Sequence, residues 1–557
     1  VSDALLNAAA REGAATVPWW KPAHGGAIAA MAAVIALRFI VLFRYRINSD
    51  ETQHLHVVWS WAHGLLPYRD FFDNHMPLFH VLFVPLLRLA GERPETLLLA
   101  RMAMVPLYAL MAWLTYRIAR TCLAPRAAFG AVLIGMLAPE FFLCSIEFRT
   151  DVLWTVFWLA AILILLRGPV TVLRCAAAGL MLGLAAGVSA KTSLLVASLV
   201  VAAAFSLLRR SPVKAWMALL GGAIVPPALI AAYFAARGVW KAFVYCTVTH
   251  NVVSPVHPYH LLLVFPSILL IVVSARKVRH AGAGPLFILL TALIYATALL
   301  TLWPIDQTEH WLPCYPLAAI ALFLLVPRNQ TRIMLAIVAA ELLGIVDMSV
   351  PWRDEVTPSM TLIAEAMRLT SPEERVLDLK GEFVFRRRAT YFVFEKITKK
   401  KIASGDLRDT IAEDVVRTHT MVVVPDNSSF PQDGRAFLTR NFMQAGALRV
   451  AGMIIAPDRP FRIEVPAEYS VVPEHGQFHG SIDGIRYLGP RHLTAGSHTL
   501  ITTSPGVPIV LMWSRAAILR TSPLAARRLV TLPRLWRGLS GPRTQAGKPA
   551  PHPVHGI

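Results

Sequence analysis

From about Ala27 to Val350 the chain repeats one pattern: apolar runs of 16–24 residues, each bounded by charge or Pro. A run of that length crosses a hydrocarbon core of about 30 Å as a helix. The pattern predicts helices near 27–44, 97–118, 128–146, 152–166, 175–190, 192–208, 215–236, 260–275, 284–303, 311–327 and 332–350. The first run is not followed by a small-residue cleavage site, so it reads as an anchor that stays. The stretch from Pro77 to Ala90 is apolar but only 14 residues long, about 21 Å as a helix. It reads as a helix lying at or dipping into the outer interface. Residues 46–96 then form one long outer loop with short helices of its own, and long ordered loops are usually functional.

The charges set the orientation. Arg117, Arg120 and Arg126 fall in one loop, and Arg167 and Arg174 in the second loop after it. Arg209, Arg210 and Lys214 continue the series, followed by Arg276, Lys277 and Arg279, and then by Arg328 and Arg332. Basic residues mark cytoplasmic loops. The N-terminus is therefore expected inside, the number of crossings odd, and everything after Trp352 outside.

Beyond residue 352 the periodicity changes. Helices are expected over 357–369, 407–418 and 434–442, with strands over 375–379, 421–425 and 448–455. Alternating strand and helix predicts a small α/β layer over 352–459. Short alternating strands with Gly, Pro and Asp turns follow, which predicts a small β-sandwich over 460–515. The tail, 516–557, is rich in Pro, Arg and Gly and is expected to be weakly ordered. The chain thus reads as a polytopic α-helical membrane protein of about eleven crossings, residues 1–351, with a soluble α/β plus β-sandwich region behind it.

Composition agrees. Of 557 residues 55% are hydrophobic and only 16% charged, against about 25% charged in soluble chains. The net charge of +20 would suggest nucleic acid in a soluble protein. Here the basic residues sit at the ends of apolar runs, so topology explains them and no nucleic-acid partner is expected. The five cysteines, Cys122, Cys144, Cys175, Cys246 and Cys314, lie in or beside the membrane segments without metal-ligand spacing.

Candidate chemistry concentrates in the outer loops. The first opens Asn48-Ser49-Asp50-Glu51-Thr52-Gln53-His54. A carboxylate at a membrane interface can act as a base on a hydroxyl or hold a cation. It can equally belong to a helix start, with Ser49 or Asp50 capping a helix that begins near Glu51. The loop continues Gly64-x-x-Pro67-Tyr68-Arg69-Asp70 and Asn74-His75-x-Pro77-Leu78, and Ala100-Arg101 follows. Further on stand Arg149-Thr150-Asp151, then Gly183-Leu184 with Lys191, then His310-Trp311-Leu312-Pro313-x-Tyr315-Pro316.

In this order these residues resemble the GT-C glycosyltransferases, in particular the branch of protein O-mannosyltransferases and lipid A aminoarabinose transferases. Those enzymes carry an acidic pair in the same place and a basic residue before Pro-Pro-Leu. Here His75 stands where many relatives have Lys, and Met76 replaces a Pro. The resemblance covers most of residues 27–350 and implies transfer of a sugar from a polyprenyl-phosphate carrier to an envelope acceptor (lipid, glycan or protein) on the outer face of the cytoplasmic membrane, with inversion. It implies Asp50 as base, with Glu51 positioning Asp50 or the acceptor. Partial desolvation is expected to raise the Asp50 pKa. Lys191 suits the leaving phosphate, because a lone Lys between apolar helices needs an anionic partner or must snorkel to the headgroups. Asp151 is a candidate to bind acceptor or orient Asp50, with an N-cap role as the alternative. His75, Glu309 and His310 are candidates to line the same cavity, and interface anchoring accounts for them as well. Arg69 and Arg149 are further candidates for the phosphate, and Arg101 for neutralising a carboxylate.

These residues name no cofactor, and a divalent metal is left open. Asp378, Lys380 and Glu382 read as solvated by Arg386, Arg387 and Arg388, and the soluble region as a lid or acceptor-binding domain. Tyr469, Tyr487 and Trp513 read as core or as a carbohydrate platform. Two other classes compete. A transporter or flippase would need ionisable residues at mid-membrane and paired broken helices, whereas the polar residues here gather in outer loops. A glycan-binding assembly protein would need none of the carboxylates for activity.

Overall fold

The computed structural model describes residues 22–208, 211–252, 262–303, 307–326, 331–426, 428–456, 459–473, 478–502 and 509–521. Up to residue 349 the described chain is built from helices, and every named strand lies between Val376 and Trp513. Among the described residues three helices, Thr96–Ala119, Val213–Ala236 and Ala283–Leu302, are long and apolar enough to cross a membrane. Shorter apolar helices include Leu78–Ala90, Pro125–Leu137, Thr150–Leu166, Val172–Val188, Thr192–Phe205 and Tyr315–Leu325.

Several elements depart from the expected runs for local reasons. The helix expected over 128–146 appears as Pro125–Leu137 and Pro139–Cys144. Ala138 between them is extended, at ψ 121°, as a residue preceding Pro tends to be. Small residues set the closest packing. A Cβ on Gly179 would lie 2.1 Å from the Leu219 carbonyl oxygen, and one on Gly222 would lie 2.4 Å from that of Ala176. Helices Val172–Val188 and Val213–Ala236 therefore meet backbone to backbone, as small residues permit between apolar helices. The short helix Leu78–Ala90 buries Phe79, His80 and Leu87 and leaves Val81, Leu82 and Leu89 exposed.

The first-loop helix is Ser49–Ala62, and its cap is Asn48 rather than Ser49 or Asp50. The Asn48 side chain accepts from the Asp50 N–H at 3.1 Å, while Glu51 Oε1 accepts from the Asn48 N–H at 2.9 Å. This reciprocal pair is a capping box. It left a trace in the sequence as Asn48 three residues before Glu51. Residues Glu51–Ser60 are all buried, so the helix is an internal strut and not a solvated loop segment.

The soluble region contains two sheets. Strands β1 (Val376–Leu377), β2 (Val422–Val423), β4 (Leu448–Ile455), β11 (Ile509–Trp513), β6 (Ala467–Val472) and β9 (Arg491–Leu493) lie side by side in that order, with β3 (Phe442–Ala445) also paired to β4. Strands β5 (Pro460–Ile463), β10 (Gly496–Thr502), β7 (Gly480–Ile482) and β8 (Ile485–Arg486) form the second sheet. The boundary expected at 459/460 does not separate two layers, because β11 sits between β4 and β6. Its residues Ile509, Leu511, Met512 and Trp513 are buried, and a strand apolar on both faces belongs inside a sheet. Tyr469 and Trp513 are core residues, at 3% and 6% exposure. Ser514–Thr521 is helical, and the rest of the expected tail lies outside the described residues.

The soluble region is bolted to the first-loop helix and its neighbours. His56 Nδ1 lies 2.7 Å from the Val384 carbonyl oxygen, the Tyr391 hydroxyl donates to the Tyr68 carbonyl at 2.6 Å, and His250 pairs with Glu395 at 2.9 Å.

Candidate active site

Two adjacent carboxylates open the first loop, and the fold sends them in different directions, since consecutive helical residues do not share a face. Glu51 is fully buried. Its Oε2 accepts from Arg101 Nε at 2.7 Å and from the Phe148 N–H at 3.1 Å, and its Oε1 from Arg101 Nη2 at 2.6 Å. The same guanidinium donates to the carbonyls of Leu42, Tyr45 and Arg46. All five of its N–H groups are satisfied. Three of the acceptors are carbonyls at the end of helix Pro22–Arg44 that have no helical partner of their own. Arg101 and Glu51 thus fasten the end of the first helix to the start of the next. Glu51 was expected to orient Asp50 or acceptor, but its oxygens are fully taken by this joint.

Asp50 turns the other way and keeps its side chain 24% exposed. Arg149 Nη2 approaches Oδ2 at 3.0 Å, and Lys380 Nζ donates to Oδ1 at 2.6 Å. Arg149, itself buried, is a hub. It lies 3.0 Å from Glu147, 2.8 Å from Glu309 and 3.4 Å from Asp151. Asp151 also accepts from Lys191 Nζ at 2.9 Å. Its place in the first turn of helix Thr150–Leu166 suits a negative charge. Four carboxylates and three cations therefore share one site. Only Asp50, Lys191 and Lys380 reach its surface, at 24%, 24% and 22% exposure, while Arg149, Glu147, Asp151 and Glu309 stay below 10%.

The electrostatics follow from those contacts. Burial pushes the Asp50 carboxyl up, but Arg149 and then Lys380 outweigh it and hold the group well below the usual carboxylate range. The expected rise of the Asp50 pKa is corrected: desolvation was visible in the sequence, and the two cations were not. Burial pushes the neighbouring Glu147 up to about 7 in spite of Arg149.

Beside Asp50 lies a histidine group. His75 is held by Asp73 at 2.8 Å, and its ring centroid is 4.6 Å from that of His54. His54 Nδ1 lies 3.0 Å from His80 Nε2. Burial lowers the pKa of His54 and takes that of His80 down to about 4. Among the described residues no group of three or more His, Cys, Asp or Glu is arranged to hold a metal ion.

Of the residues singled out in the sequence, Asp50, Arg149, Asp151, Lys191 and Glu309 come together and His75 borders them. His310 is buried in the turn Thr308–Trp311, its ring edge-on to Trp303 at 5.8 Å. Arg69 is not in the site: it is 59% exposed and paired with its neighbour Asp70. Two participants were missed. Glu147 stands two residues before Arg149, a spacing that was there to be read. Lys380 comes from the soluble region. Of the arginines after it, Arg388 meets the Asp378–Glu382 segment as expected and Arg386 does not. Arg388 pairs with Asp378 at 2.8 Å, Arg386 turns to Thr370 and the Met367 carbonyl, and Lys380 is left to reach Asp50.

No family model matches the chain, and no curated protein matches it. Solved structures do. ArnT from Cupriavidus metallidurans in the apo state aligns over 77% of this chain and 98% of its own, with TM-score 0.55 and 14% identity. The same protein bound to undecaprenyl phosphate aligns over 76% and 97%, with TM-score 0.52 and 14% identity. The Archaeoglobus fulgidus oligosaccharyltransferase tethered with an acceptor peptide aligns less closely, at TM-score 0.44 and 10% identity over 74% of this chain and 70% of that one. The chain shares the fold of ArnT.

Proposed function

We propose that this GT-C-fold protein is an inverting membrane glycosyltransferase. On this reading it takes a sugar from a polyprenyl-phosphate donor and passes it to an envelope acceptor on the outer face of the cytoplasmic membrane. The observation that carries the reading is the placement of Asp50. An ionised carboxylate with accessible oxygens stands at the mouth of a buried charge cluster, with one accessible ammonium group, Lys380, paired to it and a second, Lys191, paired to Asp151. A structural neighbour of the same fold is bound to undecaprenyl phosphate.

Asp50 takes the proton of the acceptor hydroxyl as the new bond to the anomeric carbon forms. The bond from that carbon to the phosphate oxygen breaks on the opposite face, and its electron pair leaves on the phosphate. Cations beside the departing oxygen stabilise the developing charge. Arg149 is poorly suited to that task, because four carboxylates already share it. Its role is to keep Asp50, Glu147, Asp151 and Glu309 in one place without mutual repulsion.

Lys191 can turn outward from Asp151. Lys191→Ala is expected to weaken donor use several-fold more than Lys191→Arg does, measured as KM for lipid-linked sugar. Equal KM values in the two variants would assign Lys191 to the headgroup region instead. The orientation is tested by cysteine labelling in intact cells. A Cys at Ser428 should react with an impermeant maleimide and a Cys at Ser211 should not. The reverse pattern would put Asp50 in the wrong compartment and end the proposal.

A further inference from the structure

We propose that Lys380, contributed by the soluble region, binds the phosphate of the lipid-linked donor and thereby lets go of Asp50. The inference rests on the transferase reading above and adds a residue from outside the membrane part to the site.

Geometry singles Lys380 out. It lies 330 residues from Asp50 in sequence yet donates to it at 2.6 Å. It is held there by a built loop. Asp378 accepts from the N–H groups of Gly381 and Phe383 at 3.0 and 3.1 Å, and Glu382 accepts from those of Lys380 and Gly381 at 2.8 and 3.2 Å. Gly381 has φ +115°, and a Cβ there would meet the His56 Cβ at 2.9 Å. The loop therefore lies flat against the first-loop helix, which no other residue at 381 would allow. Val384 sits at φ +52°, a strained backbone for a β-branched residue, and its carbonyl is the one that His56 holds. A surface loop needs neither the close approach nor the strain, so the docking is specific to what the loop delivers.

Charge explains why an anion would move it. Every carboxylate of the cluster except Asp50 is enclosed, and Arg149 is enclosed with them. An incoming phosphate finds two cations with exposed heads, Lys191 and Lys380, and Lys380 is the one that touches the base. The donor phosphodiester offers two free oxygens sharing one charge, and the phosphate that departs carries up to two charges on three, whereas Asp50 already shares its single charge with Arg149. Lys380 can turn to the phosphate while its backbone stays fixed. The groups facing Asp50 are then Arg149 and His75, and its basicity rises as the donor arrives.

The test uses the full chain in detergent with undecaprenyl phosphate and, as control, undecaprenol. Lys380→Met should weaken undecaprenyl phosphate binding about tenfold or more, the loss of one charge-assisted hydrogen bond. Undecaprenol binding should not change, and Lys380→Arg should retain most of the affinity. In the pH profile of kcat/KM, removing Lys380 should move the acid limb to higher pH. The base must be deprotonated, activity falls as pH drops through its pKa, and one of the two cations depressing that pKa is gone. A lysine that only pairs with Asp50 would move that limb and leave undecaprenyl phosphate affinity unchanged. Lys380→Gln gives the same readouts should Lys380→Met fail to fold. Unchanged phosphate affinity, an equal loss for undecaprenol, or an unmoved acid limb would each overturn the assignment of Lys380 while leaving the transferase reading intact. Wild-type protein that does not bind undecaprenyl phosphate would overturn both.

Discussion

Asp50→Asn should reduce turnover by at least about two orders of magnitude while leaving the protein folded and able to bind donor. General-base assistance typically contributes 10²–10⁴-fold, and the amide cannot take a proton. Two features make the variant a clean probe. The Asp50 side chain is partly exposed, so the substitution buries no new unsatisfied group. Its role in the capping box is played by the backbone N–H, which Asn keeps. The loss should appear in kcat, because an interaction used only as the proton moves is absent from the ground state. With Asp50 held below the usual carboxylate range, wild-type kcat/KM should stay flat from neutral into the mildly acidic region. Single-turnover transfer from a lipid-linked sugar by purified protein decides it. Near-normal turnover by Asp50→Asn would remove the catalytic reading of this loop.

The neighbouring joint should behave in the opposite way. Arg101→Met should cost about 3–5 kcal/mol of stability, because it leaves the Glu51 carboxylate buried without its partner. It also frees three carbonyls at the end of the first helix. Glu51→Gln should be milder, since it keeps the shape and presents an N–H₂ group to Arg101 in place of one acceptor. The signature of a fastening is that thermal unfolding in detergent falls with activity, and that the double variant Glu51→Leu/Arg101→Met is more stable than the two single losses added together. Arg101→Met with wild-type thermal stability and a selective fall in kcat would instead place this pair in the chemistry.

What could be read beforehand followed the range of the forces involved. The apolar runs declared the helices because their burial repeats locally. A carboxylate partner for Arg101 was foreseeable because a buried guanidinium demands one. Asp151 and Lys191 stood out singly because charge is costly between apolar helices, and they prove to be 2.9 Å apart. The site's central arrangement was not legible. No periodicity ties residue 380 to residue 50, and while Glu147 and Asp151 flank Arg149 in sequence, nothing near it announces that Asp50 and Glu309 converge on it as well. Arg69 misled for the complementary reason. Its sequence neighbourhood matched the motif, and its geometry is settled by Asp70 alone. The boundary at 459/460 failed likewise. Strand spacing shows where strands are, and the pairing of Ile509–Trp513 with Leu448–Ile455 is decided by which strand can be apolar on both faces.

That last pairing bears on how the molecule is made. The ribosome delivers the carboxylates and Arg149 early, with the helices that enter the bilayer, and delivers Ile509–Trp513 more than 100 residues after Lys380. Until that late strand slots between Leu448–Ile455 and Ala467–Val472, the sheet on which the Lys380 loop is mounted is unfinished. A chain made only as far as Ala467–Val472 would therefore hold Asp50 beside Arg149 before the sheet behind Lys380 is complete. On the transferase reading proposed above, that late strand, far from Asp50 in sequence, completes the sheet on which the Lys380 loop is mounted.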